Sequence, residues 1–242
     1  LSFGSGDLLG GGVMTLVGIY YLHFLTDMVR LSPALAGVAI LVSKGWDAVS
    51  DPLMGTITDR TRTRFGRRRP YFLAGIPLVF ISVVALFYPA DLSTEMGRFA
   101  FALGSYLFFS SVLTMVLIPY YALAPELALE YNQRSQLMAI RLVFATVGSM
   151  ATSIVPLLII HNVQSVHTAY LIIGLVFGTV FALPYLAVFL FTRERTEFQQ
   201  RPRSFSFKRN FVDPMRNRSF RMVLVMYLFT LVATDLILAI AM

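Results

Sequence analysis

The chain has 242 residues, of which 57% are hydrophobic and 14% are charged, and its mean hydropathy is +0.71. Soluble domains average about 45–50% apolar and about 25% charged residues, so this composition excludes an ordinary soluble protein. The chain has no cysteine and only three scattered histidines, which excludes a disulfide framework and a thiolate metal site.

Six long apolar runs follow one another, and each is long enough to cross a bilayer, which takes about 20 residues. We predict transmembrane helices near 6–28, 33–56, 70–90, 98–124, 136–160 and 167–192, with a seventh beginning near 219. The sequence therefore predicts an all-α integral membrane protein with a six-helix domain over 1–192. A basic linker is expected over 193–218, and the start of a second, truncated transmembrane domain over 219–242.

The basic residues are concentrated in two segments between the apolar runs. Six arginines lie between positions 60 and 69, and a second basic group lies between 193 and 221. The loops at the opposite ends of the helices offer only Arg30 and Arg98. By the positive-inside rule, the amino terminus and both basic segments face the cytoplasm. The net charge of +7 thus reflects membrane topology, and we expect no nucleic-acid partner.

The second predicted helix carries three charges in its apolar run. Lys44, Asp47 and Asp51 are spaced i, i+3 and i+7, so they share one helix face. Each would cost about 2.5–3.5 kcal/mol at the centre of a lipid-facing helix, so they must face the protein interior or a wet cavity. The three charges sum to −1, which one monovalent cation would neutralise. Ser50 and Thr114 can add neutral oxygen ligands, which suit a hard cation.

Two alternatives remain open at this point. If no metal ion binds, repulsion between the two carboxylates favours a bound proton as the cation. The charges could instead form a helix–helix salt-bridge network that never binds an ion, and Arg141 in the fifth predicted helix could complete it.

Two segments identify a known family. Positions 46–55 read WDAVSDPLMG and positions 59–70 read DRTRTRFGRRRP. This pattern closely resembles the glycoside–pentoside–hexuronide:cation symporter family (melibiose-permease-like) of the major facilitator superfamily. The stretches 1–7, 24–27 and 118–123 agree, so the resemblance covers essentially the whole chain.

The resemblance implies a fold of two six-helix halves, here the amino-terminal half and the start of helix seven. It also implies cation-coupled symport of an organic solute, a sugar or glycoside first of all, by a protein that is not an enzyme and needs no cofactor. The expected partners are a small-molecule substrate, Na⁺ or H⁺ and the lipid bilayer. A bacterial inner membrane location is expected, with the protein functional as a monomer once the second half is present.

Site residues are carried over from the family position by position. Asp47, Ser50, Asp51 and Thr114 match the residues that hold the coupling cation. Lys44 stands where the family often has a basic residue. The segment with Asp59, Arg60 and Arg67 resembles the superfamily's gating motif, in which acid and arginines pair with helix ends and lock one access state. A role in topology alone is the alternative for that segment.

The expected substrate cavity departs from the sugar-transporting pattern. The family's sugar-binding acids on helices one and four are replaced by Gly11 and Leu117, and the nearby aromatic is Tyr121. Arg141 matches an arginine that lines the cavity, and Asp235 in helix seven is a further candidate. Loss of both acids should weaken recognition of a neutral disaccharide.

This departure keeps two other functions open. The first is a non-sugar solute such as a lysolipid, which relatives in the wider family carry with Na⁺. The second, from a different class, is a non-transporting membrane sensor or scaffold. At the end of helix four, Glu126 and Glu130 are expected to be solvated or paired with Arg134.

Overall fold

The computed structural model describes residues 1–194 and 213–241, without the side chains of 231 and 234–241. By internal contacts the chain forms two units, Leu1–Gln200 and Arg201–Met242, and each is described by itself. The described residues are almost entirely helical and contain no strand beyond an isolated bridge between Thr63 and Gly66. The prediction of an all-α protein is confirmed.

The first unit contains the six predicted helices. The first begins with a 3₁₀ turn at Gly4–Gly6, continues as α1 over Asp7–Leu16, and ends in two π-helical turns at Val17–Tyr21 and Phe24–Met28. The others are α2 Pro33–Arg60, α3 Arg69–Leu86, α4 Glu95–Leu127, α5 Tyr131–Asn162 and α6 Val166–Phe191. In the second unit a short α7, Asp213–Arg216, precedes α8, Arg218–Ala241.

Local chemistry explains several helix ends. Pro33 occupies the first turn of α2, where its missing N–H removes no hydrogen bond. The Thr94 hydroxyl caps α4 by accepting the N–H of Gly97 at 3.2 Å. We predicted that α3 would continue to about residue 90, but it ends at Leu86. Pro89 disfavours helical backbone in the residue before it, which accounts for an early end.

Among the described residues, four helices are both long and apolar enough to span a bilayer, namely α3, α4, α5 and α6. Each of them contains an internal proline, which a membrane bundle tolerates because neighbouring helices cover the freed backbone groups. Helix α2, at 28 residues, is also long enough to span a bilayer, but its charged face lowers its hydropathy. The helix that breaks the apolar pattern is therefore the one that carries the candidate site.

The helices pack in the pairs α1 with α5, α3 with α6, and α2 with α4, while α3 also contacts α4. Aromatic side chains fill the interior between them, with Tyr21, Phe72, Tyr120 and Tyr185 fully buried. The α2–α4 and α1–α5 contacts matter for function, because the predicted polar residues lie along them.

Candidate functional site

Helices α2 and α4 meet along a line of acidic and hydroxyl side chains. Thr114 Oγ1 donates a hydrogen bond to Asp51 Oδ1 at 2.7 Å, and the Ser110 hydroxyl donates to Asp47 Oδ1. The Ser50 and Thr114 hydroxyls lie 3.3 Å apart. The structure thus brings together all four residues that were predicted to hold the cation.

The two acid–hydroxyl contacts form a ladder. In each contact the partner lies 63 residues further along the chain, so α2 and α4 run in the same direction at constant register. Asp47 and Asp51 are four residues apart on α2, as are Ser110 and Thr114 on α4. Residues at this spacing lie one helical turn apart on the same face, with Cβ atoms about 5–6 Å from each other. We call these four residues with Ser50 the acid–hydroxyl ladder.

Within the described residues, the acid–hydroxyl ladder has no cation within ion-pair distance of its two acids, although Lys44 lies three residues before Asp47 on α2. In the part of the chain that the structure describes, neither Asp47 nor Asp51 forms an ion pair, and Lys44 forms none either. The described residues also contain no group of three or more His, Cys, Asp or Glu side chains that could hold a metal ion. Two carboxylates and three hydroxyls instead provide an all-oxygen set, which suits a hard cation of low charge.

Ser110 is a member of the ladder that sequence reasoning missed. The signal that could have found it is its spacing, because Ser110 and Thr114 repeat on α4 the four-residue spacing of the two acids on α2. A second contact lies beside it, where the Trp46 indole N–H donates to the Ser111 hydroxyl at 2.8 Å. These contacts fix α4 against the charged face of α2.

Arg141 does not join the acids of α2. It pairs with Asp7 on α1, with its Nε 2.5 Å from Asp7 Oδ2. Tyr120 supports the pair, since its hydroxyl lies 3.2 Å from Asp7 Oδ2 and donates to the carbonyl of Phe3 at 2.7 Å. The hypothesis that Arg141 completes a network with Asp47 and Asp51 is therefore wrong for this structure. Asp7 lies closer to the arginine and neutralises it.

Tyr121 stands at the edge of the Asp7–Arg141 pair. The Arg141 guanidinium carbon lies 5.2 Å from the centre of the Tyr121 ring and 5.1 Å from that of Tyr120, within the range of cation–π contacts. Tyr120 is fully buried, whereas Tyr121 is 43% exposed. Of the predicted cavity residues, Tyr121 and Arg141 thus lie together, with an aromatic face accessible beside a charged group.

The other predicted cavity residues lie elsewhere. Leu117 is buried in the apolar core. Gly11 lies in the α1–α5 contact, where an added Cβ would collide with the backbone of Ala145, and its carbonyl accepts the Ser149 hydroxyl at 3.0 Å. Such close backbone packing at small residues is typical of membrane helices. It also explains the absence of an acid at Gly11, because no side chain fits there. The side chain of Asp235 lies outside the described residues.

A second charged cluster lies where α2 ends and α3 begins. Arg67 Nη2 and Arg68 Nη1 lie 2.7 and 2.8 Å from Glu126 Oε1, and both arginines approach Asp59 Oδ1, at 3.8 and 3.5 Å. Arg68 also donates to the carbonyl of Ala122. The expectation that Glu126 is solvated or pairs with Arg134 is wrong, because the Glu126 carboxylate forms ion pairs with Arg67 and Arg68.

Glu194, just after α6, completes this cluster. Its carboxylate accepts the backbone N–H groups of Arg67, Arg68 and Arg69 at 2.9, 2.6 and 3.0 Å. These N–H groups belong to the start of α3, where a helix favours negative charge. Gly66 has φ +110°, and an added Cβ there would lie 2.7 Å from Glu194 Oε1, so the turn requires glycine.

We call Asp59, Arg67, Arg68, Glu126 and Glu194 the arginine network. Two of its members, Asp59 and Arg67, were predicted as gating residues, whereas Lys44 and Arg60 of the same prediction form no ion pair within the described residues. Glu194 was assigned to the linker over 193–218, most of which, at 195–212, lies outside the described residues.

Comparison with known proteins adds an independent finding. The model of a family described as MFS/sugar transport protein matches residues 2–242. The inner membrane symporter YicJ of Escherichia coli strain K12 is 30% identical over 236 residues, which cover 96% of this chain and 50% of that protein. The isoprimeverose transporter of Lactiplantibacillus pentosus is 28% identical over 221 residues, which cover 89% of this chain and 46% of the transporter.

A vertebrate relative is also similar. The sodium-dependent lysophosphatidylcholine symporter 1 of Gallus gallus is 30% identical over 135 residues, which cover 55% of this chain and 25% of that protein. The chain thus spans half or less of the length of these relatives.

Proposed function

Because this chain belongs to the MFS/sugar transport protein family, we propose that it forms part of a symporter that couples uptake of an organic solute to Na⁺ or H⁺. The family resemblance predicted from the motifs is confirmed by this membership and by relatives named as a symporter and as a transporter. The observation that carries the proposal is the acid–hydroxyl ladder. Its two carboxylates have hydroxyl partners but no arginine or lysine bonded to them, so a cation from solution can neutralise them.

In the proposed mechanism, Asp47 and Asp51 bind the cation with oxygens of Ser50 and Thr114. Transporters of this superfamily bind substrate and coupling ion between two repeats and alternate access to the two sides of the membrane. Because coupling free energy is reciprocal, cation and solute should each raise the affinity for the other. The proposed mechanism needs no catalytic residue and no cofactor.

For the solute, the Asp7–Arg141 pair and the exposed ring of Tyr121 provide the binding groups in this part of the protein. A charged pair offers donors and acceptors to hydroxyl groups, and the ring offers an apolar face to a sugar. A sugar or glycoside is therefore the first candidate, which agrees with the relative named an isoprimeverose transporter. A lysolipid is the second, because Leu117 and Gly11 leave no acid beside the pair and one relative is named a lysophosphatidylcholine symporter.

We further propose that the arginine network faces the cytoplasm of a bacterial cell, in the inner membrane, and acts as a gate. The positive-inside rule supports this orientation, because the six arginines of positions 60–69 lie at that end of the bundle. Its ion pairs tie α2, α3 and α4 together, so they would have to break or rearrange if that end opens. The protein is proposed to function as a monomer.

The test is uptake into proteoliposomes, with isoprimeverose and lysophosphatidylcholine as separate labelled solutes and either a Na⁺ or a proton gradient. We expect one solute to accumulate only with a cation gradient, and Asp51→Asn to abolish that accumulation while the protein stays folded. Asp91→Asn, the same exchange at an exposed position between α3 and α4, should transport like the unmodified protein.

The outcome separates the rival functions. Accumulation in Asp51→Asn with unchanged cation dependence would show that the cation site is elsewhere. A sensor or scaffold would show no solute-dependent cation flux at all.

A further inference from the structure

Ser110 differs from two other buried serines, Ser105 and Ser82, in where its hydroxyl points. A buried serine in a helix commonly donates to a carbonyl of the preceding turn. Ser105 on α4 and Ser82 on α3 do so, donating to the carbonyls of Ala102 and Val79, both at 3.0 Å. Ser110 is only 4% exposed, yet its hydroxyl turns away from its own helix and donates to Asp47 on α2. Its direction is set by the neighbouring carboxylate.

We propose that Ser110 is a further residue of the cation site, which positions Asp47 and supplies an oxygen to the bound ion. This inference rests on the proposed function of the acid–hydroxyl ladder. A serine hydroxyl has one proton and two lone pairs, so Ser110 can donate to Asp47 while its oxygen still faces a cation. The ion then has two tiers of ligands, Asp47 with Ser110 and Asp51 with Thr114 and Ser50.

The two tiers have a consequence for how the site is assembled. Each tier takes its acid from α2 and a hydroxyl from α4, so neither helix holds a complete set. The hydroxyl of Ser110 also holds Asp47 toward α4 and therefore toward the ion, which reduces the ordering that binding must impose. Removing that hydroxyl should weaken Na⁺ binding without disturbing the apolar contacts between the helices.

The experiment measures equilibrium binding of Na⁺ alone to the purified protein in detergent by titration calorimetry. Ser110→Ala should raise the Kd for Na⁺ about tenfold, the factor that loss of one hydrogen bond to a charged group produces. Ser105→Ala is the matched control, since it removes from the same helix a buried hydroxyl that donates to the carbonyl of Ala102 and lies outside the ladder. It should leave the Kd within about twofold of the unmodified protein. Ser110→Thr, which keeps the hydroxyl, should restore most of the affinity.

The results distinguish this inference from the proposed function. If Ser110→Ala binds Na⁺ as tightly as Ser105→Ala while Asp51→Asn does not bind, Ser110 only joins two helices and the inference is overturned. If Ser110→Thr is as weak as Ser110→Ala, packing and not the hydroxyl matters, and the inference is again overturned. If Asp51→Asn binds Na⁺ normally, the ladder is not the cation site, and the function proposed for the ladder fails together with this inference.

Discussion

The acid–hydroxyl ladder and the arginine network satisfy their carboxylates in opposite ways. In the arginine network, Glu126 and Asp59 face two guanidinium groups, and Glu194 accepts three backbone N–H groups. In the ladder, Asp47 and Asp51 each face one neutral hydroxyl. The Asp7–Arg141 pair belongs with the first type, because the arginine neutralises the acid internally.

The difference indicates which acids can bind and release a cation from solution. A carboxylate that is paired with arginine is neutralised within the protein, and an external cation must displace that partner to bind. A carboxylate with only hydroxyl partners is not neutralised within the protein, so its charged form costs free energy unless a cation from solution binds. The ladder is thus suited to reversible ion binding, and the arginine network to holding helices together until they separate.

The largest effect is expected from removing one arginine of the network. Arg68→Met leaves the buried carboxylate of Glu126 with a single partner, and loss of one member of a buried ion pair costs about 3–5 kcal/mol. We expect a drop of this order in the free energy of unfolding in detergent micelles. Arg64→Met, at an exposed arginine of the same segment, should change it by less than about 0.5 kcal/mol. Equal stability of the two variants would show that the network does not hold the helices.

Removing an acid of the ladder should not lower the free energy of unfolding in this way. Asp47→Asn removes a charge that forms no ion pair in this structure, so stability without Na⁺ should be unchanged or higher. The unmodified protein should gain about 2.7 kcal/mol of stability at a Na⁺ concentration one hundred times its Kd, and the variant should gain none. Thermal unfolding in Na⁺ and in an equal concentration of choline measures both quantities. A clear loss of stability in choline would indicate that Asp47 is a structural residue.

A smaller effect is expected at Glu194. Glu194→Gln keeps one oxygen acceptor but loses the charge that strengthens three hydrogen bonds, for an expected loss of about 1.5–3 kcal/mol. Hydrogen exchange followed by mass spectrometry should show faster exchange of the amides of Arg67, Arg68 and Arg69. The amides in the middle of α6 serve as the internal control. Unchanged exchange at the three arginines would contradict the contact with Glu194.

The sequence predicted the helices and four of the five residues of the ladder, all except Ser110. Apolar runs of about 20 residues identify membrane spans, and charges spaced i, i+3 and i+7 identify a shared face. Asp47 and Asp51 follow from these local rules, and Ser50 and Thr114 were added to them as oxygen ligands by the family resemblance. Ser110 has no charge to make it conspicuous, and its partner becomes evident only when α2 and α4 are known to lie side by side at constant register.

The arginine network was harder to predict because its partners come from distant parts of the chain. Glu194 lies 125 to 127 residues from the backbone groups that it caps, and it follows α6 in a segment that reads as a basic linker. Glu126 lies at the end of a predicted transmembrane helix, where the sequence indicates a solvated acid or a pair with Arg134. In both cases local composition indicates solvation, whereas tertiary packing brings each acid to the arginines.

The close contact of Gly11 with Ala145 also limits how this protein could evolve. An acid cannot be introduced there by one substitution, because α1 and α5 would first have to move apart. Tyr121 is half-exposed, so a substitution there can change the surface beside Arg141 without separating these two helices.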